Sequence, residues 1–452
     1  MKDLCKRISH TFWLFLGLFA LLGGYFIYVA AFEAEAFIAN PFNARVRVED
    51  PTVRRGNIYD AYGRVIAKSV LTDDGYIRQY PFGAAFAHTI GYSGMGRAGL
   101  ELSRNFTLSR TNWELFQRAR HAIFGDEIAA NSITTTFDAD LQQMIFEALG
   151  NSRGAVVVLN PATGAVLSMV STPSFNPESI EQNWVTLRAD TAASPLLNRA
   201  AQGLYPPGST FKVITAAAAM EFDPYLANFT FECQGQVIIG DNILRCFGGT
   251  AHGIVDMERA MAVSCNGYFA VLAEKIGAGA LINAAELALF NTPFDFELPA
   301  ATPQFPMTAS AGLSELIETA IGQGRISATP LNMAILAGAI ANGGTAMSPH
   351  LIYGTNPRRI GQIFEAEIAE KLAEMLVGAV AQGTGAPAAV AGITVAGKTG
   401  TAQNETGIDH SWFIGHAPAE NPRVALAIII ENTGGGQRAS RLAGQIFSHA
   451  AR

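Results

Sequence analysis

Ser209 and Lys212 have the spacing of a nucleophile and its base at the start of a helix. The turn-forming sequence Pro206-Pro207-Gly208 stands before them and a strongly apolar run follows, which predicts that a helix begins near Ser209. Lys212 then lies one turn later on the same face, within reach of the serine hydroxyl. A serine attacks a carbonyl only when a base takes its proton, and burial can lower the pKa of a lysine enough for that task. The pair indicates acyl transfer through a covalent serine intermediate, although this spacing alone is common.

Two later segments carry the other groups that such a reaction needs. Ser264 and Asn266 lie between two helical runs, and the sequence Lys398-Thr399-Gly400-Thr401 lies on a predicted strand. Acyl transfer requires a proton relay, an oxyanion site and an anchor for the substrate. We expect Ser264 to relay a proton between Lys212 and the leaving nitrogen, and Asn266 to donate a hydrogen bond to the substrate backbone.

The strand segment supplies the candidate substrate-binding groups. Lys398, Thr399 and Thr401 offer a positive charge and hydroxyl donors for a terminal carboxylate. Gly400 is expected to let the substrate lie close to the strand, because a side chain there would obstruct it. The backbone N–H groups of Ser209 and Thr401 are the expected oxyanion donors, since one starts a helix and the other lies on an accessible strand edge.

An apolar segment near the amino terminus predicts a membrane anchor. About 20 apolar residues cross a bilayer, and residues 11–32 contain no charged side chain. Basic residues precede the segment and acidic residues follow it, so we predict that residues 1–10 are a cytoplasmic tail and that the remainder lies outside a cytoplasmic (inner) membrane crossed once. A cleaved signal peptide, with a site near Ala34-Glu35-Ala36, is the alternative, although the apolar run exceeds the usual length of such signals.

Two folded domains are predicted after the anchor. Residues 33–150 read as a small α+β pedestal of short strands and turns, ending in a helix capped by Asp138 or Asp140. In residues 151–452, a hairpin with turn residues 160–164 is followed by a mostly helical stretch and then by three β-rich runs. Strands at both ends with helices between them predict an antiparallel sheet covered by helices, an α+β domain.

Charge and cysteine usage exclude several classes of partner. The net charge is −7 without a long basic run, so nucleic acid is not an expected partner. The cysteines Cys5, Cys233, Cys246 and Cys265 form no C-x-x-C pair and the chain has no H-E-x-x-H, so we predict no metal site. The G-x-G-x-x-G match at 94–99 is predicted to be a turn, and we expect no cofactor. Outside the cytoplasm Cys233 and Cys246 could form a disulfide or remain two buried thiols, and Cys265 is expected to be a core residue.

As a set, the three motifs resemble the signature of serine penicillin-binding proteins, and the whole chain resembles their class B members. The resemblance implies a peptidoglycan D,D-transpeptidase that is acylated at Ser209 by D-Ala-D-Ala stem peptides, cross-links them and is inhibited covalently by β-lactams. It also implies a separate membrane glycosyltransferase partner of the shape, elongation, division and sporulation type. The further matching segments are Arg55–Asp60, Arg78–Pro81, His88, Gly91-Tyr92, Gly99–Glu101, Gly322–Gly324, Thr329–Leu331, Gly383–Gly385 and Trp412-Phe413 with Gly415 and Pro418.

Several related activities stay open at this stage. A D,D-carboxypeptidase differs only in using water as the acceptor, and a scaffold or β-lactam sensor would keep the fold without the reaction. The segment before residue 151 is too short for a glycosyltransferase domain, which disfavours the bifunctional class A. No E-x-x-L-N sequence occurs between Asn266 and Lys398, which disfavours a β-lactamase. The resemblance is incomplete at Ala61, where the family commonly has arginine, so a salt bridge expected in the pedestal is predicted to be missing.

Overall fold

The first helix of the chain is α1 (Lys2–Tyr28). The computed structural model describes residues 2–29, 33, 54–73, 75–94, 96–109 and 130–451. Within α1, the stretch Lys6–Tyr28 has a mean hydropathy of 1.7 and none of it is buried. By length and composition this helix can span a membrane once. The alternative cleavage site at 34–36 lies outside the described residues.

The pedestal is built on a small sheet with the strand order β3-β2-β1-β4. Strand β1 pairs in the antiparallel sense with β2 and in the parallel sense with β4, so the pedestal combines two distant pieces of chain in one sheet. Short helices lie beside it, as expected for an α+β unit. The elements are β1 (Ile58–Tyr59), β2 (Val65–Thr72), β3 (Gly75–Gln79), α2 (Ala87–Ile90), α3 (Gly99–Ser103), α4 (Asn105–Ser109) and β4 (Ile133–Thr134).

A buried charge cluster holds these pedestal pieces together. The carboxylate of Glu101 accepts from Arg55 Nε at 2.6 Å and from Arg78 Nε at 2.7 Å, and the Glu101 side chain is fully buried. Burial alone would raise the pKa of Glu101, but Arg78 and Arg55 more than offset that effect and the pKa is lowered. The resulting stabilisation is present above the ordinary carboxyl pKa and is lost as the pH falls through the lowered value.

An ion pair lies next to Ala61, the position where the family commonly has arginine. Asp60 is fully buried, and its carboxylate accepts from Arg64 Nε at 2.6 Å. Arg64 also bonds to Asp138, so it joins the pedestal to the residue that caps the next helix. The salt bridge predicted to be missing is one of residue 61, which alanine cannot form, and the pair of Asp60 with Arg64 is a separate one in the same turn.

The carboxy-terminal domain is organised around a five-stranded antiparallel sheet with the order β13-β14-β15-β5-β6. The predicted hairpin forms β5 and β6, and the three β-rich runs near the carboxy terminus form β13, β14 and β15, as expected. Strand β13, which carries the Lys398 motif, is an edge of this sheet. The strands are β5 (Gly154–Leu159), β6 (Val166–Thr172), β13 (Ala396–Ala402), β14 (His410–Ala417) and β15 (Val424–Ile430).

Helices cover both faces of this sheet. Val156 and Val158 face one side with α5 (Ala139–Leu149) and α14 (Gln437–Ala450), whereas Ala155 and Val157 face the other side. This alternation is the period of two expected for a strand, and burial on both faces explains why β5 and β15 contain no polar side chain. The described helices between the two groups of strands are α6 (Ile180–Ala189), α7 (Arg199–Gln202), α8 (Lys212–Phe222), α9 (Met257–Val263), α10 (Asn266–Leu287), α11 (Leu313–Ala320), α12 (Pro330–Ala341) and α13 (Ala366–Gln382).

Three two-stranded ribbons surround the helical layer. Two of them lie between α8 and α9 in the sequence. There β7 pairs with β10, and the hairpin of β8 and β9 lies in the chain between these two strands. The third follows α12. The pairs are β7 (Phe231–Cys233) with β10 (Gly253–Val255), β8 (Gln236–Ile239) with β9 (Asn242–Arg245), and β11 (Thr345–Met347) with β12 (Arg359–Gln362).

Helix α5 joins the two domains. Of the two residues predicted to cap this helix, Asp138 is the one that does so, and its side chain accepts from the N–H groups of Asp140 and Leu141. Gln142 is fully buried and donates to the carbonyl of Ala85 in the pedestal and to that of Met169 in β6. By these contacts α5 packs in the layer of helices that covers the large sheet. The sequence predicted instead that this helix is the last element of the pedestal, which would end at residue 150.

We predict that Glu101→Gln lowers the free energy of unfolding by about 3–5 kcal/mol, because it leaves two buried guanidinium groups without their counter-charge. Urea unfolding of the full-length chain in detergent, followed by circular dichroism, measures the change. The matched control is Glu370→Gln on the exposed face of α13, for which we expect a change within about 0.5 kcal/mol. Equal midpoints for the two variants would contradict the role of the cluster.

Candidate active site

The predicted residues come together at one open cleft of about 1130 Å³. The cleft lies between the turn before α8, the loop between α9 and α10, and the edge strand β13. Three predicted residues, Lys212, Lys398 and Gly400, are buried and do not line it. The other five line the cleft, and they are Ser209, Ser264, Asn266, Thr399 and Thr401.

Ser209 lies on a one-turn 3₁₀ helix, Gly208–Phe211, that leads directly into α8. Gly208 has φ +54°, and a Cβ there would lie 2.4 Å from the carbonyl oxygen of Thr401, so only glycine lets this turn approach β13 so closely. The indole N–H of Trp412 donates to the carbonyl of Pro206 at 2.9 Å and ties the turn to β14. The serine is therefore held between a helix start and the edge of the sheet.

Lys212 is fully buried one turn after Ser209, and its ammonium group contacts the Ser264 motif. Lys212 Nζ donates to Asn266 Oδ1 at 2.6 Å, to the Ser264 carbonyl at 2.8 Å and to Ser264 Oγ at 3.2 Å. Burial lowers the pKa of Lys212 to about 7. Near neutral pH, Lys212 is therefore uncharged in a large fraction of the molecules and can accept a proton.

A second buried lysine reaches the same hydroxyl. Lys398 Nζ donates to Ser264 Oγ at 2.9 Å and to the Thr399 carbonyl at 3.0 Å. Burial and the charge of Lys212 hold the pKa of Lys398 well below its ordinary value. Ser264 Oγ thus lies between Lys212 Nζ and Lys398 Nζ. A proton can pass through this hydroxyl between the lysines and a group in the cleft.

Asn266 begins α10 and has a side chain with two partners. Its Oδ1 accepts from Lys212, and its Nδ2 donates to the carbonyl of Arg245 at 2.9 Å. An amide nitrogen has two hydrogens, so one remains for another acceptor in the cleft. The donor role that we predicted for Asn266 is compatible with this geometry.

Strand β13 presents alternate residues to the cleft and to the interior. Thr399 Oγ1 lies 2.7 Å from Thr384 Oγ1, and the Thr401 carbonyl accepts from Gln323 Nε2 at 3.2 Å. Thr384 and Gln323 also line the cleft, although we had noted them only as family matches without a predicted role. Arg438 and Arg441 on α14 line it too, and no sequence signal had pointed to them.

The reason that we gave for Gly400 is wrong. A Cβ on Gly400 would lie 2.8 Å from Trp412 Cβ, 2.9 Å from Thr210 Cγ2 and 3.0 Å from the Pro207 carbonyl. These atoms are inside the protein, on the side of the serine turn, and not in the cleft. Glycine is therefore needed so that β13 can pack against the turn that carries Ser209.

The cysteines lie beside this site as thiols. Cys233 Sγ and Cys246 Sγ are 3.6 Å apart without a bond, and Cys246 Sγ is 3.8 Å from Cys265 Sγ. Of the two readings left open, the structure has the buried thiols. Cys265 is fully buried, as expected for a core residue.

The geometry is that of an active-site serine acyltransferase. It combines a nucleophile at a helix start, a buried lysine of lowered pKa, a relay hydroxyl between two lysines and an edge strand that lines the cleft and can align an extended peptide. The sequence profile described as "Penicillin binding protein transpeptidase domain" matches residues 154–451, and that of the "Penicillin binding protein A dimerisation domain" matches residues 55–133. The chain belongs to the penicillin-binding protein transpeptidase family, as a class B member.

Several bacterial proteins are similar in sequence to most of this chain. It is 34% identical to the peptidoglycan D,D-transpeptidase PbpA of Mycolicibacterium smegmatis, over 92% of this chain and 91% of that protein. It is also 30% identical to the peptidoglycan D,D-transpeptidase MrdA of Acinetobacter baumannii, over 82% of this chain and 66% of that protein. The imipenem acyl-enzyme complex of penicillin-binding protein A from M. tuberculosis superposes with a TM-score of 0.83 at 30% identity, covering 89% of this chain and 99% of that one.

We predict that acylation by a β-lactam accelerates as the pH rises through about 7 and then levels off, because Lys212 must be neutral to take the proton of Ser209. Stopped-flow measurement of the second-order acylation rate constant between pH 5 and pH 9 tests this. Lys212→Ala should abolish acylation at every pH. A wild-type rate constant that does not change with pH would contradict the assignment of Lys212 as the base.

Proposed function

We propose that this chain is a peptidoglycan D,D-transpeptidase that uses Ser209 as its nucleophile and Lys212 as the base. The observation that carries the proposal is the buried ammonium group of Lys212, which is bonded to Ser264 and Asn266 and not to a carboxylate that would keep it charged. The names of the relatives, which are D,D-transpeptidases, support the same reaction.

In the first half of the reaction, Ser209 Oγ attacks the carbonyl carbon between the two D-alanines of a stem peptide. The serine proton passes to Lys212, and the N–H groups of Ser209 and Thr401 bind the oxyanion that forms. The C–N bond then breaks, and the proton reaches the departing amine of D-alanine through Ser264. Lys398 favours this relay because it donates to the same hydroxyl.

In the second half, the amine of a neighbouring stem attacks the ester of Ser209. The amine proton returns through Ser264 and Lys212 to Ser209 Oγ, so a new peptide bond replaces the ester and the enzyme is regenerated. Thr399 and Thr401, which line the cleft, bind the terminal carboxylate of the donor stem during the first half, before it leaves with D-alanine. Lys398 is buried and acts in both halves through its hydrogen bond to Ser264 Oγ.

We predict that intact mass spectrometry of the full-length chain with benzylpenicillin shows one adduct, on Ser209, that persists for hours and is absent from Ser209→Ala. Ser264→Ala should slow acylation by about 10²–10⁴-fold, the usual contribution of a positioned proton-transfer group. Thr406→Ala, on the exposed loop after β13, is the control and should acylate at the wild-type rate.

The products made from a pentapeptide donor and an amine acceptor separate the related activities. A cross-linked product identifies a transpeptidase, whereas release of the tetrapeptide alone would identify a carboxypeptidase. Rapid loss of the penicillin adduct with turnover of the drug would identify a β-lactamase. A folded wild-type protein without any adduct would leave only a scaffold.

We further propose that α1 anchors the chain once in the cytoplasmic membrane, that the catalytic domain lies outside, and that a membrane glycosyltransferase of the shape, elongation, division and sporulation type supplies the glycan. The exposed apolar helix and the pedestal that follows it in the sequence support this arrangement. The pedestal at residues 33–150 and the transpeptidase domain at residues 151–452 remain the proposed domains, with α5 at their junction.

We predict that liposomes containing both the full-length chain and such a glycosyltransferase convert a lipid-linked disaccharide pentapeptide into cross-linked glycan. Ser209→Ala should give glycan of the same length without cross-links. Deletion of residues 1–32 should reduce cross-linking at equal protein concentration, since the chain is no longer held at the membrane. Equal cross-linking with and without the anchor would contradict the proposed arrangement.

A further inference from the structure

The side chains that line the active-site cleft carry an excess of positive charge, although the net charge of the chain is −7. The arginines Arg245, Arg438 and Arg441 line the cleft, and Asp409 is the one carboxylate among the described residues that do so. A cleft with this charge attracts an anionic substrate. The reaction proposed above assigns no role to any of these four side chains.

The terminal carboxylate of the donor stem needs a cation, and the one that the sequence predicted is not in the cleft. Lys398 is fully buried, and its ammonium group donates to Ser264 Oγ at 2.9 Å and to the Thr399 carbonyl at 3.0 Å. Thr399 and Thr401 line the cleft, but their hydroxyls are uncharged. A carboxylate is bound more strongly by a charged donor than by hydroxyls alone, which directs attention to the arginines.

Helix α14 begins in contact with the strand that carries these hydroxyls. A Cβ on Gly436, the residue before the helix, would lie 3.0 Å from Thr399 Cβ and 3.1 Å from the Gly400 carbonyl oxygen. The N–H of Ala439 donates to Ser411 Oγ at 3.1 Å, which fixes the first turn of α14 to β14. Long side chains on the first two turns of this helix therefore lie beside the part of the cleft that Thr399 lines.

Arg438 and Arg441 are the two such side chains that carry a charge. They are three residues apart, so they lie on the same face of α14. Both are exposed, and neither forms an ion pair within the part of the chain that the structure describes. Arg438 donates to Ser152 Oγ and Arg441 donates to Gln437 Oε1, which are uncharged groups. A guanidinium has five N–H donors, so each arginine has donors left for an anion in the cleft.

The attack of the acceptor amine is the chemical reverse of the departure of D-alanine. The amine nitrogen forms a bond to the acyl carbon, the ester bond to Ser209 Oγ breaks, and the amine proton passes to that oxygen through Ser264 and Lys212. By microscopic reversibility, the attacking amine takes the position that the amine of D-alanine has left. In D-alanine, the carbon that carries the amine also carries the carboxylate. An acceptor with the same arrangement would place its carboxylate on the same ligands.

We propose that Arg438 and Arg441, with Thr399 and Thr401, bind the carboxylate next to the reacting amine, and that the acceptor amine of the stem belongs to a diamino dicarboxylic acid. The side-chain amine of a lysine or ornithine residue has no carboxylate on its carbon, whereas that of 2,6-diaminopimelate has one. This inference rests on the proposed transpeptidase function and adds the chemistry of its acceptor. The same ligands hold the terminal carboxylate of the donor in the first half of the reaction.

The first test measures the acceptor preference of the acyl-enzyme, with the full-length chain in detergent. An N-acyl-D-alanyl thioester with an uncharged leaving thiol acylates Ser209 without using a carboxylate, and D-alanine or D-alaninamide then competes with water for the ester. Wild-type protein should prefer D-alanine by at least about tenfold, as expected for a charge-assisted contact. The double variant Arg438→Gln/Arg441→Gln should transfer to D-alanine about 10- to 100-fold more slowly, the cost of losing hydrogen bonds to a charged group.

Three measurements on the double variant separate this role from a general structural one. Acylation by the thioester, hydrolysis of the ester and transfer to D-alaninamide should all keep their wild-type rates, which also shows that the variant is folded. Comparison of variant with wild type for each acceptor cancels the different basicity of the two amines. Arg188→Gln, on the exposed face of α6 outside the cleft, removes the same charge and should keep the full preference for D-alanine.

The second test uses two acceptor peptides that differ only in the residue that carries the amine. Mass spectrometry of the cross-linked products should show that wild-type protein favours the 2,6-diaminopimelate peptide over the lysine peptide by at least about tenfold. The double variant should lose this preference.

Two results would overturn the inference. The first is equal transfer to D-alanine and D-alaninamide by wild-type protein. The second is an undiminished preference in the double variant, which would assign the carboxylate to Thr399 and Thr401 alone. Failure of the proposed function looks different, because the thioester would then leave Ser209 unacylated, or the ester would only be hydrolysed whichever amine is present. Either of those outcomes would refute the transpeptidase and this inference with it.

Discussion

The active site depends on keeping two lysine ammonium groups in the protein interior close to a single serine hydroxyl. Burial of an isolated charge is costly, and two like charges near each other add to the cost, so the protonated forms of Lys212 and Lys398 are both disfavoured. Their partners are hydroxyl, amide and carbonyl oxygens, which satisfy the N–H groups without stabilising the charge as a carboxylate would. A lysine held in this way is available as a base near neutral pH.

The rest of the domain serves to hold that arrangement. The large sheet is covered on both faces, and of its two edge strands it is β13 that lines the cleft, where an extended peptide can add to the sheet. Glycines at positions 208 and 400 bring the serine turn and β13 within van der Waals contact, so the nucleophile and the substrate-binding strand have a fixed separation. The same constraint explains why Trp412, which bonds to the serine turn, is buried in the neighbouring strand.

Local patterns in the sequence predicted much of this structure. The cap at Asp138, the hairpin of β5 and β6, the final three strands and the break between α9 and α10 all have signals within a few residues. The eight site residues could be predicted because each motif is contiguous. What the sequence could not provide is the direction of a side chain in the fold. Gly400 packs against the serine turn and not the cleft, and Asp60 is paired with Arg64 four positions later. The side chains of Cys233, Cys246, His252 and Cys265 come together across a folded-back ribbon.

The buried Gln142 of α5 has a mechanical consequence. Its side chain bonds at once to the pedestal at Ala85 and to β6 at Met169, while Arg64 bridges the pedestal to the cap of the same helix. The pedestal is thus joined to the catalytic sheet by side-chain contacts on α5 as well as by the chain itself. A force applied to the pedestal would therefore act, through α5, on the sheet whose other edge carries Lys398.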